Sequence, residues 1–195
     1  MSVSDGYMNQ RLADFLAEIA APTPVPGGGF VAGIAVAMAA GVVSMAARMS
    51  EEWPEHRGAS AQAETLRTRA TELASANADA YADALAALAG KEERYRTRDE
   101  TMGDALARAA DVPLAIGDAA TAVAALAAEV AEHGEPRFRA DCAVAASLAA
   151  AGARSAAVLV DVNLGTTGGD ERTDRARRQA DDAAAALQRA LDAVS

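Results

Sequence analysis

The sequence predicts an all-α protein, a single-domain helical bundle over residues 1–195 built around two buried apolar helices. Three observations carry this. Hydrophobic residues fill 51% of the 195 positions but aromatics only 4%, so the core material is chiefly alanine with some valine and leucine. Alanine has the best intrinsic helix propensity and loses no side-chain entropy on folding. Runs rich in Ile, Thr, Tyr and Phe that would signal strands are missing. The length suits one domain, and no fixed-period repeat points to a solenoid.

The elements follow in order. A short amphipathic helix carries Leu12, Phe15, Leu16 and Ile19 at i, i+3, i+4, i+7 spacing and stops at Ala21-Pro22, because a residue before proline is pushed out of helical geometry. Pro22-Thr23-Pro24-Val25-Pro26-Gly27-Gly28-Gly29 then reads as a shaped loop, stiffened by proline and freed at its end by glycine. A second helix runs from about Gly29 to Ser50. From Phe30 to Ala47 it has no charge, and Gly29, Gly33, Ala37 and Gly41 recur like a membrane contact row. Alanine and glycine insert poorly, and Trp or Lys anchors do not flank both ends. The expectation is therefore a helix buried on all sides in a bundle, with no membrane partner.

A polar break at Glu51–Gly58 precedes a long helix from about Ser60 to Ala89, with Leu66, Leu73, Tyr81, Leu85 and Leu88 as inward candidates and Gly90 as its stop. Another helix spans Arg94 to Asp111. Pro113 breaks or kinks it before a run from Leu114 to His133. Gly134 and Pro136 punctuate the chain, and Arg139 to Leu164 is the second buried apolar helix. Gly165–Gly169 closes it, and a charged last helix covers about Glu171 to Ala193.

The formal net charge is −10. A phosphate-binding surface needs a positive field, so no nucleic-acid partner is expected, and the arginines near Arg94–Arg98 and Arg172–Arg178 read as solvated faces. The single cysteine, Cys142, lies in an apolar stretch and reads as a buried structural thiol. With no signal segment at the start, the expected compartment is the cytoplasm. His56 and His133 both sit in polar breaks and Cys142 has no second cysteine, so no metal site is expected.

Two features could carry chemistry. Gly27-Gly28-Gly29 at a helix start exposes backbone N–H groups where the dipole favours negative charge. It either holds a carboxylate, phosphate or developing charge, or lets two helices approach closely. Polar residues also stand within apolar helix: Asp141 before Cys142-Ala143-Val144, Asn163 in Val160–Leu164, and Asp79 with Tyr81 in Asn77-Ala78-Asp79-Ala80-Tyr81. Buried carboxylates and amides are costly unless satisfied. Asp141 is either a site residue or a helix cap, Asn163 either a site residue or a helix end, and Tyr81 is more often core.

In this order the features resemble the formiminotransferase-cyclodeaminase family, which includes stand-alone methenyltetrahydrofolate cyclohydrolases. Thr23-Pro24-Val25-Pro26-Gly27-Gly28-Gly29 is similar to its Thr-Pro-x-Pro-Gly-Gly-Gly signature. The resemblance continues through Asp79-Ala80-Tyr81, Arg94, Ala110–Leu114, Asp141–Ala145 and Val162-Asn163-Leu164. It implies an all-α homodimer that binds folate through helices and the glycine loop, acts on one-carbon units between N5 and N10, and uses no metal or redox cofactor. On it, Asp141 is the carboxylate that takes a proton from water, with Asp79 as alternate. Thr23, Pro26, Gly27, Gly28, Gly29, Tyr81, Arg94 and Asn163 bind the folate. Two departures stand out. Phe30 replaces a small hydroxyl residue, where it would block or reshape the pocket, and Lys91 is the only lysine. A non-catalytic ligand-binding or structural helical dimer of the same fold is the second reading.

Overall fold

A computed structural model describes residues 7–89, 109–165 and 169–195. Its helices are α1 (Leu12–Ile19), α2 (Gly28–Arg48), α3 (His56–Ala89), α4 (Asp111–His133), α5 (Arg139–Leu164) and α6 (Glu171–Asp192), with a 3₁₀ turn at Pro136–Phe138 before α5. Among the described residues there is no strand. The expected helix from Arg94 to Asp111 falls almost wholly outside them, and Leu85 and Leu88 lie outside the described side chains.

α4 is the central helix and touches α2, α3, α5 and α6. α2 lies between α3 and α5, and α6 covers α4 and α5. The core is made of alanines with Val36, Val43, Ile116, Val123 and Val130 filling the gaps. Such small side chains let backbones come close. A Cβ at Gly33 would lie 2.8 Å from Ala74 Cβ and 3.0 Å from its Cα, so α2 and α3 are in near backbone contact. By length and composition α2, α4 and residues 136–164 could each cross a membrane; here they bury 61%, 67% and 50% of their most apolar stretches within the bundle.

Three expectations are corrected. Pro113 sits in the first turn of α4, fully buried, and begins the helix rather than breaking it, since an N–H missing there has no intrahelical partner to lose. α4, not α2 or α5, is the most enclosed apolar helix: α2 leaves Val31, Met38 and Met45 exposed, and α5 leaves Val144, Val158 and Val162 exposed. α1 buries none of its residues fully, and Leu12 and Leu16 face outward although their spacing suits a core.

α2 and α5 run antiparallel. Ser50, just past α2, donates from Oγ to the Ala46 carbonyl at 2.8 Å and accepts from the Glu135 N–H at 2.8 Å, tying this end to the approach to α5. Trp53 stacks on His133 beside it, with ring centroids 6.2 Å apart. Midway along, Gly152 of α5 faces Val36 of α2. At the opposite end the glycine loop, the second half of α3, the start of α4 and the end of α5 come together.

That end is fastened by charge. Asp170 caps α6 by accepting from the Arg172 N–H at 2.9 Å, and Arg172 also reaches Asp111 at 2.7 Å. The Arg172 side chain and backbone bonds hold the Asp170 carboxyl at about 2, against an ordinary 3.8. A depressed carboxylate contributes fully above its unfolded value and loses that contribution as pH falls towards the folded one. Asp170→Asn keeps a capping oxygen but removes the charge. It is expected to lower the thermal midpoint at pH 7, with the gap from wild type closing between about pH 4 and pH 2. A gap that stays constant on acidification would contradict this.

Candidate functional site

The glycine loop closes one end of a surface cleft of about 340 Å³ between α2 and α5. Pro26, Gly27 and Gly28 form the closed end, Val31 and Ala35 one wall, and Ala151, Gly152 and Ser155 the other. None of the lining side chains is titratable. The Val25–Pro26 bond is cis, and Pro26 is buried beneath the loop. Gly27 is the residue before α2, and no side chain caps the helix there, which leaves its first N–H groups available to a ligand.

The three glycines differ in environment. Gly29 faces α3, where an added Cβ would collide with the Asn77 amide. Gly27 would meet the Pro24 carbonyl oxygen at 3.4 Å, ordinary contact. A Cβ on Gly28 would meet nothing within 4 Å. Packing therefore explains glycine at 29 but not at 28, where bare backbone borders the cleft.

Phe30 does not obstruct this space. It is fully buried on the other side of α2 with Ala74 and Ala78, and its ring meets Tyr7 edge-on at 5.4 Å and Phe15 at 5.7 Å. The expectation that it blocks or reshapes the cleft is corrected: its ring anchors α1 and the chain before it.

The other site residues divide between the two ends of the bundle. Thr23 is exposed and donates to the Val25 carbonyl at 3.1 Å, shaping the loop from within. Asp79 is half-buried and Tyr81 exposed on α3, just beyond the Asn77 contact with Gly29, and neither lines the cleft. Asn163 is half-buried at the end of α5 and donates to the Ala109 carbonyl at 3.2 Å, pinning the start of α4. Arg94 lies outside the described residues.

Asp141 is at the other end. It is exposed in the first turn of α5, where a carboxylate suits the helix dipole, and it is not the partly buried group that its apolar neighbours imply. Eleven residues of helix, roughly 16 Å, separate it from Gly152. Within one chain it does not share a site with the glycine loop. The neighbouring Cys142 is buried, and burial together with the Asp141 charge pushes its thiol up to about 12, as suits a structural cysteine.

Asn77 is the residue the sequence did not single out. It stands in the quoted Asn77–Tyr81 stretch, and its amide against Gly29 links α3 to the loop. The cleft walls were equally silent, because Val31, Ala35 and Ala151 read as ordinary packing residues.

A model of the formiminotransferase-cyclodeaminase family matches residues 11–182. A methenyltetrahydrofolate cyclohydrolase of Methylorubrum extorquens is 34% identical over 166 residues, covering 80% of this chain and 79% of that protein. The crystal structure of formiminotetrahydrofolate cyclodeaminase from Thermotoga maritima superposes with a TM-score of 0.85 at 23% identity, covering 96% of each chain.

Proposed function

Because the chain belongs to the formiminotransferase-cyclodeaminase family, we propose that it hydrolyses 5,10-methenyltetrahydrofolate to 10-formyltetrahydrofolate at the glycine-loop end of the bundle. The relative named for that reaction supports this choice within the family. The observation that carries the location is Gly28, a glycine that packing does not require, at the closed end of an uncharged cleft. The cleft's volume is within the range of small-molecule sites.

The substrate is already an electrophilic cation, so the protein has to orient it, admit one water and accept a proton. Water oxygen bonds to the methenyl carbon and gives a proton to a carboxylate. The hydroxyl adduct then collapses: its carbon–N5 bond breaks, its O–H proton passes to N5, and the formyl group stays on N10. One proton is released overall. The cleft lining offers no carboxylate, so the acceptor has to come from beside it. Asp79, on α3 just past the Asn77–Gly29 contact, takes the proton as the substrate reaches over the glycine loop onto α3, where its charge also favours the cation. The open N–H groups of α2 suit the carboxylate tail or a ring carbonyl oxygen of the folate. Tyr81 and Asn163 border the same end of the bundle, and Thr23 shapes the loop.

Gly28→Leu tests the location. Nothing in the fold opposes a side chain there, so the thermal midpoint is expected to stay within a degree or two while KM rises about tenfold or more as the cleft fills. An unchanged KM would move the site elsewhere. The family description also admits cyclodeamination of 5-formiminotetrahydrofolate, which ammonia release from that substrate distinguishes.

A further inference from the structure

We propose that a second cavity, between the end of α2 and the first turns of α3, binds a small oxyanion of the phosphate class, either inorganic phosphate or a phosphomonoester. This site does not rest on the folate reading above. The cavity measures about 330 Å³ and is lined by Arg48 of α2 and by His56, Arg57, Ser60, Ala61 and Glu64 of α3. Gly28 and Arg48 stand at opposite ends of the 21-residue α2, roughly 30 Å apart, so this cavity is separate from the glycine-loop cleft.

Its floor is polar, although the surrounding core is rich in alanine. Ser44 and Ser60 are only 2% and 8% exposed. Ser44 donates its one hydroxyl proton to Glu64 Oε1 at 2.8 Å, because an ionised carboxylate can only accept. Arg48 Nη2 reaches the same oxygen at 3.2 Å, and Arg67 grips Oε2 through Nε at 2.9 Å and Nη2 at 2.7 Å. The bonds from Arg67 and Ser44 hold the Glu64 carboxyl below its usual range, so it stays ionised. Each of its oxygens already accepts two protein donors, and its part is to fix Arg48 at the cavity. Arg48 is fixed a second time by Nε, which donates to Ser60 Oγ at 3.1 Å. With the Ser44 proton spent on Glu64, Ser60 has to donate in the contact between the two hydroxyls. That contact is 3.4 Å, long for an O–H···O bond. A hydroxyl that lines the cavity and is nine-tenths buried thus has no good acceptor for its proton.

The charge balance here runs against that of the whole chain. Three guanidinium groups, Arg48, Arg57 and Arg67, stand against the one carboxylate of Glu64, an excess of two positive charges in a chain of net charge −10. Glu51, Glu52 and Glu55 of the connecting turn do not line the cavity. Among the described residues the side chains of His56 and Arg57 make no hydrogen bond or ion pair. α3 begins at His56, so the positive end of its dipole lies here as well. Free donors therefore converge from two helices and from several directions. A tetrahedral oxyanion has acceptor oxygens for all of them, whereas a carboxylate is satisfied by one guanidinium fork. The volume leaves room for a small ester group beside the anion.

Isothermal titration of the full chain with inorganic phosphate, in a buffer free of other multivalent anions, is expected to show one saturable site per chain. Arg57→Ala should weaken it about tenfold or more, and Arg57→Glu should abolish it. Arg57 is exposed and unpaired, so without phosphate both variants should keep the wild-type thermal midpoint and the wild-type turnover of methenyltetrahydrofolate. Gly28→Leu, which fills the other cavity, should bind phosphate as the wild type does. Glycerol phosphate that binds more tightly than inorganic phosphate identifies an esterified ligand, and equal affinity identifies the free anion; either result supports the site. No saturable binding overturns it, and so does binding that survives undiminished in Arg57→Glu. Loss of phosphate binding in Gly28→Leu overturns the location. Free glutamate that binds as tightly as phosphate overturns the phosphate class. A protein that binds phosphate through Arg57 yet leaves methenyltetrahydrofolate untouched strikes down the folate reading and supports this site.

Discussion

Asp79→Asn is expected to reduce turnover of methenyltetrahydrofolate by about a hundredfold, the usual scale for losing a positioned general base. The side chain is half-buried on α3, just past the point where Asn77 braces Gly29, so it belongs to the helix that fixes the loop. Asparagine keeps the shape and removes both proton acceptor and charge. The loss should fall in kcat, because the proton moves only in the reacting complex. Asp79→Glu should recover part of the rate, and both variants should keep the wild-type circular dichroism spectrum. An Asp79→Asn protein with full kcat would show that the proton goes elsewhere.

Gly152→Val is expected to destabilise the fold by about 3 kcal/mol, the upper range for overpacking a core. In a domain of this length that lowers the thermal midpoint by roughly 6–12 °C. The first added carbon alone would stand 2.5 Å from Val36 Cγ2, with the Ala32 carbonyl oxygen 3.7 Å away, so α5 would have to lift off α2. Gly152→Ala should fall between the two, because alanine gains about 1 kcal/mol in helix propensity and offsets part of the clash. Val36→Ala should restore stability to Gly152→Ala by removing the opposing methyl, a non-additivity expected only of residues in contact. Additive losses in the double variant would contradict the close approach.

The helical architecture was legible in the sequence because alanine-rich composition and helical spacing both report local preferences. α2, α5 and α6 begin and end within about two residues of where glycine, proline and charge place them. Pro113 was misread because the same residue that breaks a helix interior starts one comfortably, and only its register decides. The charge-free stretch of α2 read as buried on every side, yet Val31, Met38 and Met45 stand on an open face. Composition reports what a helix tolerates, not which neighbours it has. The same limit separated the site residues: the glycine loop and Asp79 share one end of the bundle because α3 returns along α2, whereas Asp141 starts an antiparallel helix from the opposite end. Asn77 was hidden for a simpler reason, since its importance comes from a contact 48 residues away in sequence.

The most direct test of the account is the loss of absorbance from 5,10-methenyltetrahydrofolate with purified protein, against the uncatalysed rate and against Gly28→Leu. The account predicts clear acceleration by the wild type and, at low substrate, a rate for Gly28→Leu reduced about tenfold or more, with an unchanged thermal midpoint. No acceleration by a folded wild-type protein would contradict the proposed reaction. Equal acceleration by both proteins would contradict the site.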